Sequence, residues 1–352
     1  MTDIIVIGGG IAGISAAAQL SASAKVILIE AENNLGYHSS GRSAALFEEN
    51  YGSASVVALN RASVDYHQPY LSPRGLLLLG RKGEDKAFDT DLADLASTEI
   101  SIEEAYDYVP ILNDKITRAA YHNSAMDIDT DRMIQDFVKI LRGRGGKVIT
   151  GSRITGIEAG NVWKVRSDSD IFSAEIIINA AGAWADQIAL LAGIKPIGIT
   201  PYRRSIARVP TPDGHDISKW PIFFGVGESW YAKPDAGKLL ISPADEDPVI
   251  AHDVWADDMV LAQGIDRYSQ HVTTPVTKVE TTWAGLRSFA PDRTLVLGPD
   301  ANNHRFIWCA GQGGYGFQTA PAASQLVSSL TLGQKSNLDA KIISSLSPKR
   351  FS

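Results

Sequence analysis

Three glycines near the start of the chain have the spacing of a dinucleotide-binding turn. Gly8, Gly10 and Gly13 follow a short apolar run and lead directly into an alanine-rich stretch. Such glycines allow a tight turn after a strand, a close approach of the backbone to a pyrophosphate, and close packing of the next helix. The next apolar run, 25–29, ends in Glu30, whose carboxylate is placed to accept the hydroxyls of an adenosine ribose. A 2′-phosphate would be repelled there, which argues against NADP.

A polar segment after this first unit indicates which dinucleotide is bound. Residues 36–45 are mostly small or hydroxylated and contain one arginine, Arg42. A nicotinamide enzyme would normally continue into a crossover helix at this point. The segment instead suits the long diphosphate of FAD, with Arg42 as counter-charge and Ser40 and Ser43 as donors. The alternative is a solvated loop with an unrelated arginine.

A second glycine-rich segment lies near the other end of the chain. Residues 310–319 follow a short strand-like run, 305–308, and precede a helix-like run, 320–330. The amino end of a helix stabilises negative charge, which reduced flavin carries at its N1/O2 edge. We therefore expect this segment beside the flavin ring, the alternative being a mobile loop.

The bulk properties fit an enzyme of two domains and exclude several other classes. The 352 residues exceed one typical domain, and the 44% of hydrophobic residues can bury a shared core. The formal charge of −7 and the pI near 5.5 give no electrostatic reason to expect nucleic-acid binding. No apolar run approaches the ~20 residues of a membrane span, and no signal-peptide pattern is expected at the first residues.

The metal-binding and redox residue types are sparse. Cys309 is the one cysteine, so an internal disulfide is impossible, which favours a reducing cytoplasm. The seven histidines are scattered and make no metal-site spacing with Cys, Asp or Glu. We expect no metal.

Several segments match, in order, the motifs of one enzyme family. They are residues 1–45, 127–131, 176–184, 233–237, 283–289 and 312–318. With these motifs the chain resembles the FAD-dependent D-amino-acid oxidase family, which includes sarcosine and glycine oxidases. The resemblance covers essentially the whole chain and is closest to D-arginine dehydrogenase. It implies an α/β fold, with a Rossmann-type FAD-binding domain and a discontinuous substrate domain built on an antiparallel sheet.

The resemblance also implies how the cofactor is held. Covalent flavin attachment, as in sarcosine oxidases, needs a cysteine near Gly285, and Cys309 lies elsewhere, so we expect noncovalent FAD. Tyr315 and Gln318 either frame the ring or hold the glycine loop in place. The implied cofactor-binding residues are Gly8, Gly10, Ile11, Ala12, Gly13, Glu30, Ser40, Arg42, Ser43, Ala44, Ile154, Ala181, Gly182, Trp184, Gly313, Gly314, Tyr315, Gly316, Phe317 and Gln318.

Arg287 is the best candidate for binding a substrate carboxylate. A guanidinium matches a carboxylate with two parallel hydrogen bonds, which a lysine cannot do. The resemblance independently places Arg287 at the family's carboxylate-binding arginine, the alternative being an arginine paired with an interface acid. Tyr231 and Arg204 match further carboxylate contacts of D-arginine dehydrogenase. Arg203, next to Arg204 on one strand, must point to the opposite face.

Two further residues match active-site positions of the family. Tyr51 corresponds to a tyrosine of the lid region, although a tyrosine after a turn could equally serve packing. The carbonyl oxygen of Gly314 corresponds to the acceptor of the substrate amine. Both roles are expectations from the resemblance.

The departures from D-arginine dehydrogenase indicate an apolar side-chain pocket. Leu76 and Leu46 occupy the positions of a glutamate and a histidine in that enzyme, and Ile222 and Phe224 add apolar surface. A long cationic side chain buried against them without a partner would cost on the order of several kcal/mol. Glu48 either supplies a compensating charge or is a solvated loop residue.

The expected organisation is discontinuous. The FAD-binding domain would comprise 1–72, 124–195 and 284–352, and the substrate domain 73–123 and 196–283. Apolar and alternating patterns predict strands at 147–150, 156–158, 162–166, 174–179, 75–80, 203–209, 230–233 and 238–242. A helix is predicted over 131–141, capped by Asp129 or Thr130.

These features together imply FAD-dependent oxidation of a free amino acid, of D configuration and with an apolar side chain. Hydride would pass from the α-carbon to flavin N5, and the imino acid would hydrolyse to a 2-oxo acid and ammonia. The D configuration rests on the resemblance alone. The alternatives are a sarcosine- or proline-like secondary-amine oxidase, D-arginine dehydrogenase itself, or a flavoprotein that only binds FAD.

The partner that reoxidises the flavin is oxygen, a quinone or another carrier. Sarcosine oxidases carry a lysine beside flavin N5, and the matching position here is Leu239. Lys238 would point to the opposite face of that strand. Without this charge a dehydrogenase is predicted more than an oxidase, although a shift of one residue would reverse the prediction.

Overall fold

The chain folds around two large β-sheets, and its path passes from one to the other several times. The structure, a computed structural model, describes residues 2–352. The α-helices are α1 (Ile11–Leu20), α2 (Ala54–His67), α3 (Asp85–Asp94), α4 (Ile102–Tyr108), α5 (Thr130–Gly143), α6 (Ala185–Leu191), α7 (Asp258–Ser269), α8 (Gly316–Thr331) and α9 (Ala340–Leu346). The strands are β1 (Thr2–Ile7), β2 (Val26–Ile29), β3 (Leu46–Phe47), β4 (Leu71–Pro73), β5 (Leu76–Arg81), β6 (Thr98–Ile100), β7 (Ile116–His122), β8 (Met126–Ile128), β9 (Lys147–Ile149), β10 (Ile154–Glu158), β11 (Trp163–Ser167), β12 (Ile171–Asn179), β13 (Thr200–Val209), β14 (Ile222–Gly225), β15 (Tyr231–Asp235), β16 (Lys238–Ser242), β17 (Asp247–Pro248), β18 (Thr281–Phe289), β19 (Val296–Pro299) and β20 (Phe306–Ala310).

The first sheet, here called the Rossmann sheet, has the order β10-β11-β12-β1-β2-β9, with β20 beside the end of β12 and β19 beyond it. Strand β1 runs parallel to both β2 and β12, with Ile5 opposite Ile27 and Ile177. Side chains of β1 alternate between a helix-covered face and a face covered by β10, β11 and α6. A strand buried on both faces needs a continuous apolar run, which explains the sequence of β1.

The second sheet, here called the substrate sheet, has the order β17-β13-β16-β15-β14-β5-β7-β6, with β18 also paired to β13. Its neighbours are antiparallel except β5 and β14, which run parallel with Leu76 opposite Ile222. The expectation of a purely antiparallel sheet is therefore wrong for this one pair. No hairpin joins β5 to β14, because the chain visits the Rossmann sheet between them, so local turns do not fix their relative direction.

Strand β18 of the substrate sheet carries Arg287, the residue predicted to bind a substrate carboxylate. It pairs with β13 along its whole length, with Arg204 opposite Gly285 and Tyr202 opposite Arg287. The side chains of directly opposed residues share a face, so Arg204 and Arg287 lie diagonally on one face. The sheet continues to Phe289, beyond the predicted boundary at 283. The domain limits stay a prediction.

Helix α5 illustrates how local sequence fixes an element. The carboxylate of Asp129 accepts a hydrogen bond from the backbone N–H of Arg132 at 3.0 Å, which caps the helix. Met133, Phe137 and Leu141 recur every four residues and are buried. The predicted helix and its cap at Asp129 are confirmed, as is the α/β fold class with its Rossmann-type unit.

Candidate active site

A cavity runs between the carboxyl ends of β1 and β2 and the face of the substrate sheet that carries Arg204 and Arg287. All residues predicted to bind cofactor or substrate border this cavity, apart from Gly13 and Tyr315. Gly13 packs α1 against the turn, as predicted. Tyr315 does not border the cavity, and its ring neighbours those of Tyr51 and Phe289; whether it frames the flavin ring or holds the glycine loop stays a prediction.

The glycine turn is shaped for an approaching phosphate. Gly8 has φ +111°, and a Cβ there would lie 2.3 Å from the carbonyl oxygen of Ala180. A Cβ on Gly13 would lie 1.9 Å from the carbonyl oxygen of Gly8, so the helix could not pack. A Cβ on Gly10 meets only the Ser40 hydroxyl, at 3.2 Å. The fold therefore requires glycine at positions 8 and 13, whereas the space at position 10 is left for a ligand.

The first turn of α1 offers donors to that ligand. The N–H of Ile11 donates to Ser40 Oγ at 3.0 Å. Within residues 2–352, the N–H groups of Ala12 and Gly13 have no acceptor. Free N–H groups at the amino end of a helix form an anion site. Glu30 accepts hydrogen bonds from the N–H groups of Gly9 and Glu32 at the adenosine end of the cavity. The observed donors and acceptors fit FAD.

Arg42 is held by contacts to other segments of the chain. Its guanidinium donates to the carbonyl oxygens of Val254 at 2.9 Å and Ala284 at 3.0 Å, and it forms an ion pair with Asp253. These contacts compete with its predicted role as counter-charge of the diphosphate, which stays a prediction. Arg42 anchors the segment Ser39–Arg42 to β18, which keeps Ser40 against the turn.

The second glycine-rich segment lies at the opposite wall, before α8. The N–H of Gly313, a residue with φ +53°, donates to the carbonyl oxygen of Ser288 at 2.9 Å. A Cβ on Gly314 would lie only 2.9 Å from Cζ of Arg287, so glycine allows the guanidinium to contact the backbone here. Gln318 accepts from the N–H of Glu48 at 2.7 Å. This bond fixes the segment around Glu48, and both predicted roles of Gln318, at the flavin ring or in the glycine loop, stay predictions.

Arg287 is a half-buried cation without an acidic partner. Within residues 2–352, no carboxylate lies within 4 Å of its guanidinium. Its neighbours are the hydroxyls of Tyr51 and Tyr231 and, farther away, Glu228. Burial raises the pKa of Tyr51, which keeps its hydroxyl protonated and able to donate; it now donates to Glu228 at 3.3 Å. A charged, desolvated guanidinium beside hydroxyl donors is a site for a carboxylate.

Arg204 lies next to this site and is partly compensated. Its side chain is 7% exposed, and Nη2 contacts Glu246 at 3.1 Å, while Nη1 is 4.0 Å from Glu228. Nε and Nη1 make no hydrogen bond within residues 2–352. Arg203 points to the opposite face, as predicted, and pairs with Asp245 and Asp247.

The wall beside these cations is apolar, with one acidic exception. Leu46, Leu76, Ile222 and Phe224 border the cavity together. Glu48 also borders it and is only 2% exposed, with Oε2 3.1 Å from Nε2 of His122. The interpretation of Glu48 as a solvated loop residue is therefore wrong.

Strand β16, which was predicted to pass flavin N5, has a different orientation from the one that the motif match implied. Leu239 is fully buried in the hydrophobic core on the face of the substrate sheet away from the cavity. Lys238 binds Glu280 at 2.8 Å. Neither residue borders the cavity, so the predicted place of Leu239 beside the ring is wrong.

A different lysine lies close to the cavity and was missed in the sequence. Lys233 is 4% exposed, and its ammonium contacts the carbonyl oxygen of Ala45 at 3.2 Å and Asp127 at 2.9 Å. Lys233 lies two residues after Tyr231, so both side chains are on the same face of β15. The sequence alone could therefore have predicted Lys233 near the site. His122 and Glu228 were also missed, because only the folding of distant segments brings them to the site.

Residues 2–352 show neither a metal-binding cluster nor a membrane-spanning helix. No group of three or more His, Cys, Asp or Glu residues in this range is arranged to hold a metal ion. No helix in the same range is both long enough and apolar enough to cross a membrane.

Comparisons with known proteins agree with this geometry. The family model described as DAO, FAD dependent oxidoreductase, matches residues 3–330. Glycine oxidase of Pseudomonas putida is 23% identical over 365 residues, covering 96% of each chain. The uncharacterized oxidoreductase YurR of Bacillus subtilis is 25% identical over 256 residues, covering 69% of this chain and slightly less than two thirds, 64%, of YurR.

Solved structures show the same fold. Glycine oxidase of Geobacillus kaustophilus has a TM-score of 0.84 at 18% identity, covering 99% of this chain and 98% of its own. L-proline dehydrogenase of P. horikoshii has a TM-score of 0.84 at 22% identity, covering 99% and 97%. None of these relatives supports the particular resemblance to D-arginine dehydrogenase. Because the family model spans most of the sequence, the chain belongs to the DAO family of FAD-dependent oxidoreductases, and its cofactor is FAD.

Proposed function

We propose that the protein oxidises a free amino acid at its α-carbon, of D configuration and with a side chain that is apolar next to that carbon. The observation that carries the proposal is Arg287, a half-buried cation that lines the cavity and has no acidic partner among residues 2–352. A cation in that state gains most from a substrate carboxylate. The preference for the D configuration rests on the resemblance to D-amino-acid oxidases.

The charge balance of the site supports a substrate with one carboxylate. Arg204, Arg287 and Glu228 border this end of the cavity, and Arg204 also contacts Glu246, which pairs in turn with Arg293. These five side chains leave one net positive charge, which one α-carboxylate neutralises.

Binding in this orientation would position the substrate for oxidation. Arg287 would hold the carboxylate with two hydrogen bonds, while Tyr51 and Tyr231 donate from either side. The carbonyl oxygen of Gly314 would accept from the substrate amine, which must lose its extra proton so that its lone pair assists hydride departure. The chemistry that bound FAD supplies is hydride acceptance at N5. The imino acid then hydrolyses in water to a 2-oxo acid and ammonia.

The side-chain wall favours aliphatic or aromatic groups near the α-carbon. Leu76 and Ile222 lie opposite each other on β5 and β14, and Leu46 and Phe224 adjoin them. Burying a leucine-sized side chain there would contribute about 1.5–3 kcal/mol. The same wall would serve a secondary amine. L-proline dehydrogenase and iminodiacetate oxidase from Chelativorans sp. BNC1 both have folds similar to that of this chain. A sarcosine- or proline-like oxidase is therefore the second candidate.

A substrate panel tests the proposal. The purified protein, with FAD bound, is assayed against D-, L- and N-methyl amino acids, with oxygen and with a dye acceptor in parallel. Turnover confined to D-amino acids, with 2-oxo acid and ammonia as products, is the expected result. Preferential turnover of N-methyl amino acids or proline would make the protein a secondary-amine oxidase. FAD binding without turnover of any amine would contradict both candidates.

A further inference from the structure

Glu48 is a buried acid in the wall of the cavity, close to the leucines of the side-chain pocket. It follows Leu46 by two residues and borders the same cavity. Its exposed fraction is 2%, and the one basic side chain within 4 Å of its carboxylate among residues 2–352 is that of His122. Acids are almost never buried without a partner unless they have a function. The place of Glu48 between the apolar wall and a histidine therefore needs an explanation.

The surroundings of Glu48 hold its backbone and one carboxylate oxygen in place. Its N–H donates to Gln318 at 2.7 Å, and its carbonyl oxygen accepts from the amide of Asn60 at 3.3 Å. Oε1 accepts from the N–H of Asn50 at 3.0 Å. With these three bonds the residue cannot turn toward bulk solvent without breaking local structure.

The other carboxylate oxygen, Oε2, is buried without a hydrogen-bond partner among residues 2–352. Oε2 lies 3.1 Å from Nε2 of His122, but it makes no aligned hydrogen bond within residues 2–352. His122 faces it from β7, directly opposite the cavity residue Leu76. Burial raises the pKa of Glu48. A buried, desolvated acceptor of this kind is stabilised by any donor that reaches it.

We propose that Glu48 and His122 form the distal specificity site of the pocket, where they bind a hydrogen-bond donor at the end of the substrate's side chain. The inference rests on the proposed function, because it assumes that Arg287 fixes the carboxylate end. The preferred substrate then has an aliphatic stem against Leu46 and Leu76 and ends in an amide or ammonium group.

The test compares substrates of matched shape with and without a terminal donor. The pairs are D-asparagine with D-leucine, and D-glutamine and D-lysine with D-methionine. The ratio of kcat/KM for the donor substrate to that for its apolar match is measured in the wild type, in Glu48→Gln and in Glu49→Gln. Glu49 is the matched control, because it is exposed and pairs with Arg61 on the surface. The ratio should fall about 10- to 100-fold in Glu48→Gln, as a charge-assisted hydrogen bond is lost, and stay unchanged in Glu49→Gln.

The outcomes separate this inference from the proposed function. If apolar D-amino acids are oxidised and the ratio is the same in wild type and Glu48→Gln, the distal site is refuted while the proposed function stands. If no amino acid is oxidised, the proposed function fails first. Should Glu48→Gln not fold, Glu48→Asp takes its place, because drawing the carboxylate back by one methylene should lower the same ratio. An unchanged ratio in that variant would also overturn the inference.

Discussion

Replacing Arg287 by lysine tests the centre of the proposed site. The variant keeps the positive charge but removes the planar pair of donors. A guanidinium gives a carboxylate two charge-assisted hydrogen bonds and an ammonium gives one, and each such bond contributes about 1.5–3 kcal/mol. The loss of one bond corresponds to about a 10- to 150-fold weaker interaction. The shorter lysine also gives up the contact of the guanidinium with Gly314.

The assay is steady-state turnover of the best substrate with a dye acceptor. We expect kcat/KM to fall by that factor, mainly through a higher KM, because the carboxylate is bound in the ground state as well as in the transition state. The FAD content of the purified variant should stay near that of the wild type. Reduction of the bound flavin by saturating substrate should remain measurable.

Arg208→Lys is the matched control. Arg208 is on β13 in the same sheet, is 42% exposed and lies 3.7 Å from Glu280 at the surface. It should show wild-type kinetics. If Arg287→Lys also retained wild-type kcat/KM on every oxidised amino acid, Arg287 would not bind the carboxylate and the proposed orientation would be refuted.

Three further predictions follow from single residues. Gly10→Ala should weaken FAD binding and leave the fold intact, whereas Gly13→Ala should prevent folding. Titration of the apoprotein with FAD measures the binding, and circular dichroism measures the folding. Burial raises the pKa of the Cys309 thiol to about 12, so iodoacetamide at about pH 8 should modify the unfolded protein but not the native one, as mass spectrometry would show. The pKa of Glu48 in the folded protein is raised above its ordinary 4.5. The free energy of unfolding of the wild type should therefore fall relative to that of Glu48→Gln as the pH rises from the unfolded-state pKa to the folded-state pKa. Chemical denaturation of both proteins at about pH 5 and about pH 8 measures this, and an equal difference at the two pH values would contradict it.

The parts of the site that follow from neighbouring residues could be predicted from the sequence. The roles of Gly8 and Gly13 depend on a strand, a turn and a helix that are contiguous in the chain, and the structure reproduces them. The opposite orientations of Arg203 and Arg204 follow from strand alternation alone. Segments whose pattern is local therefore define most of the cavity wall.

The parts that depend on distant segments could not be predicted. Arg42 forms an ion pair with Asp253, which is 211 residues away in the chain. This ion pair competes with the predicted role of Arg42 as counter-charge of the diphosphate. Glu48 is buried because Gln318 and His122 fold over it, and neither contact is visible in the segment around Glu48. The register of β16 is set by pairing with β13 and β15, so motif matching placed Leu239 on the wrong face.

Because the cavity lies between the two sheets, bound FAD would contact both of them and stabilise the folded protein. The side chains and backbone that would surround FAD belong to β1 and β2 on one side and to β18 and α8 on the other. Occupation of the cavity therefore bridges elements that are far apart in sequence. By mass action the folded state gains about 2.7 kcal/mol when free FAD is at 100 times its dissociation constant. Cellular flavin supply would consequently set how much of this protein survives proteolysis, as well as how much is active.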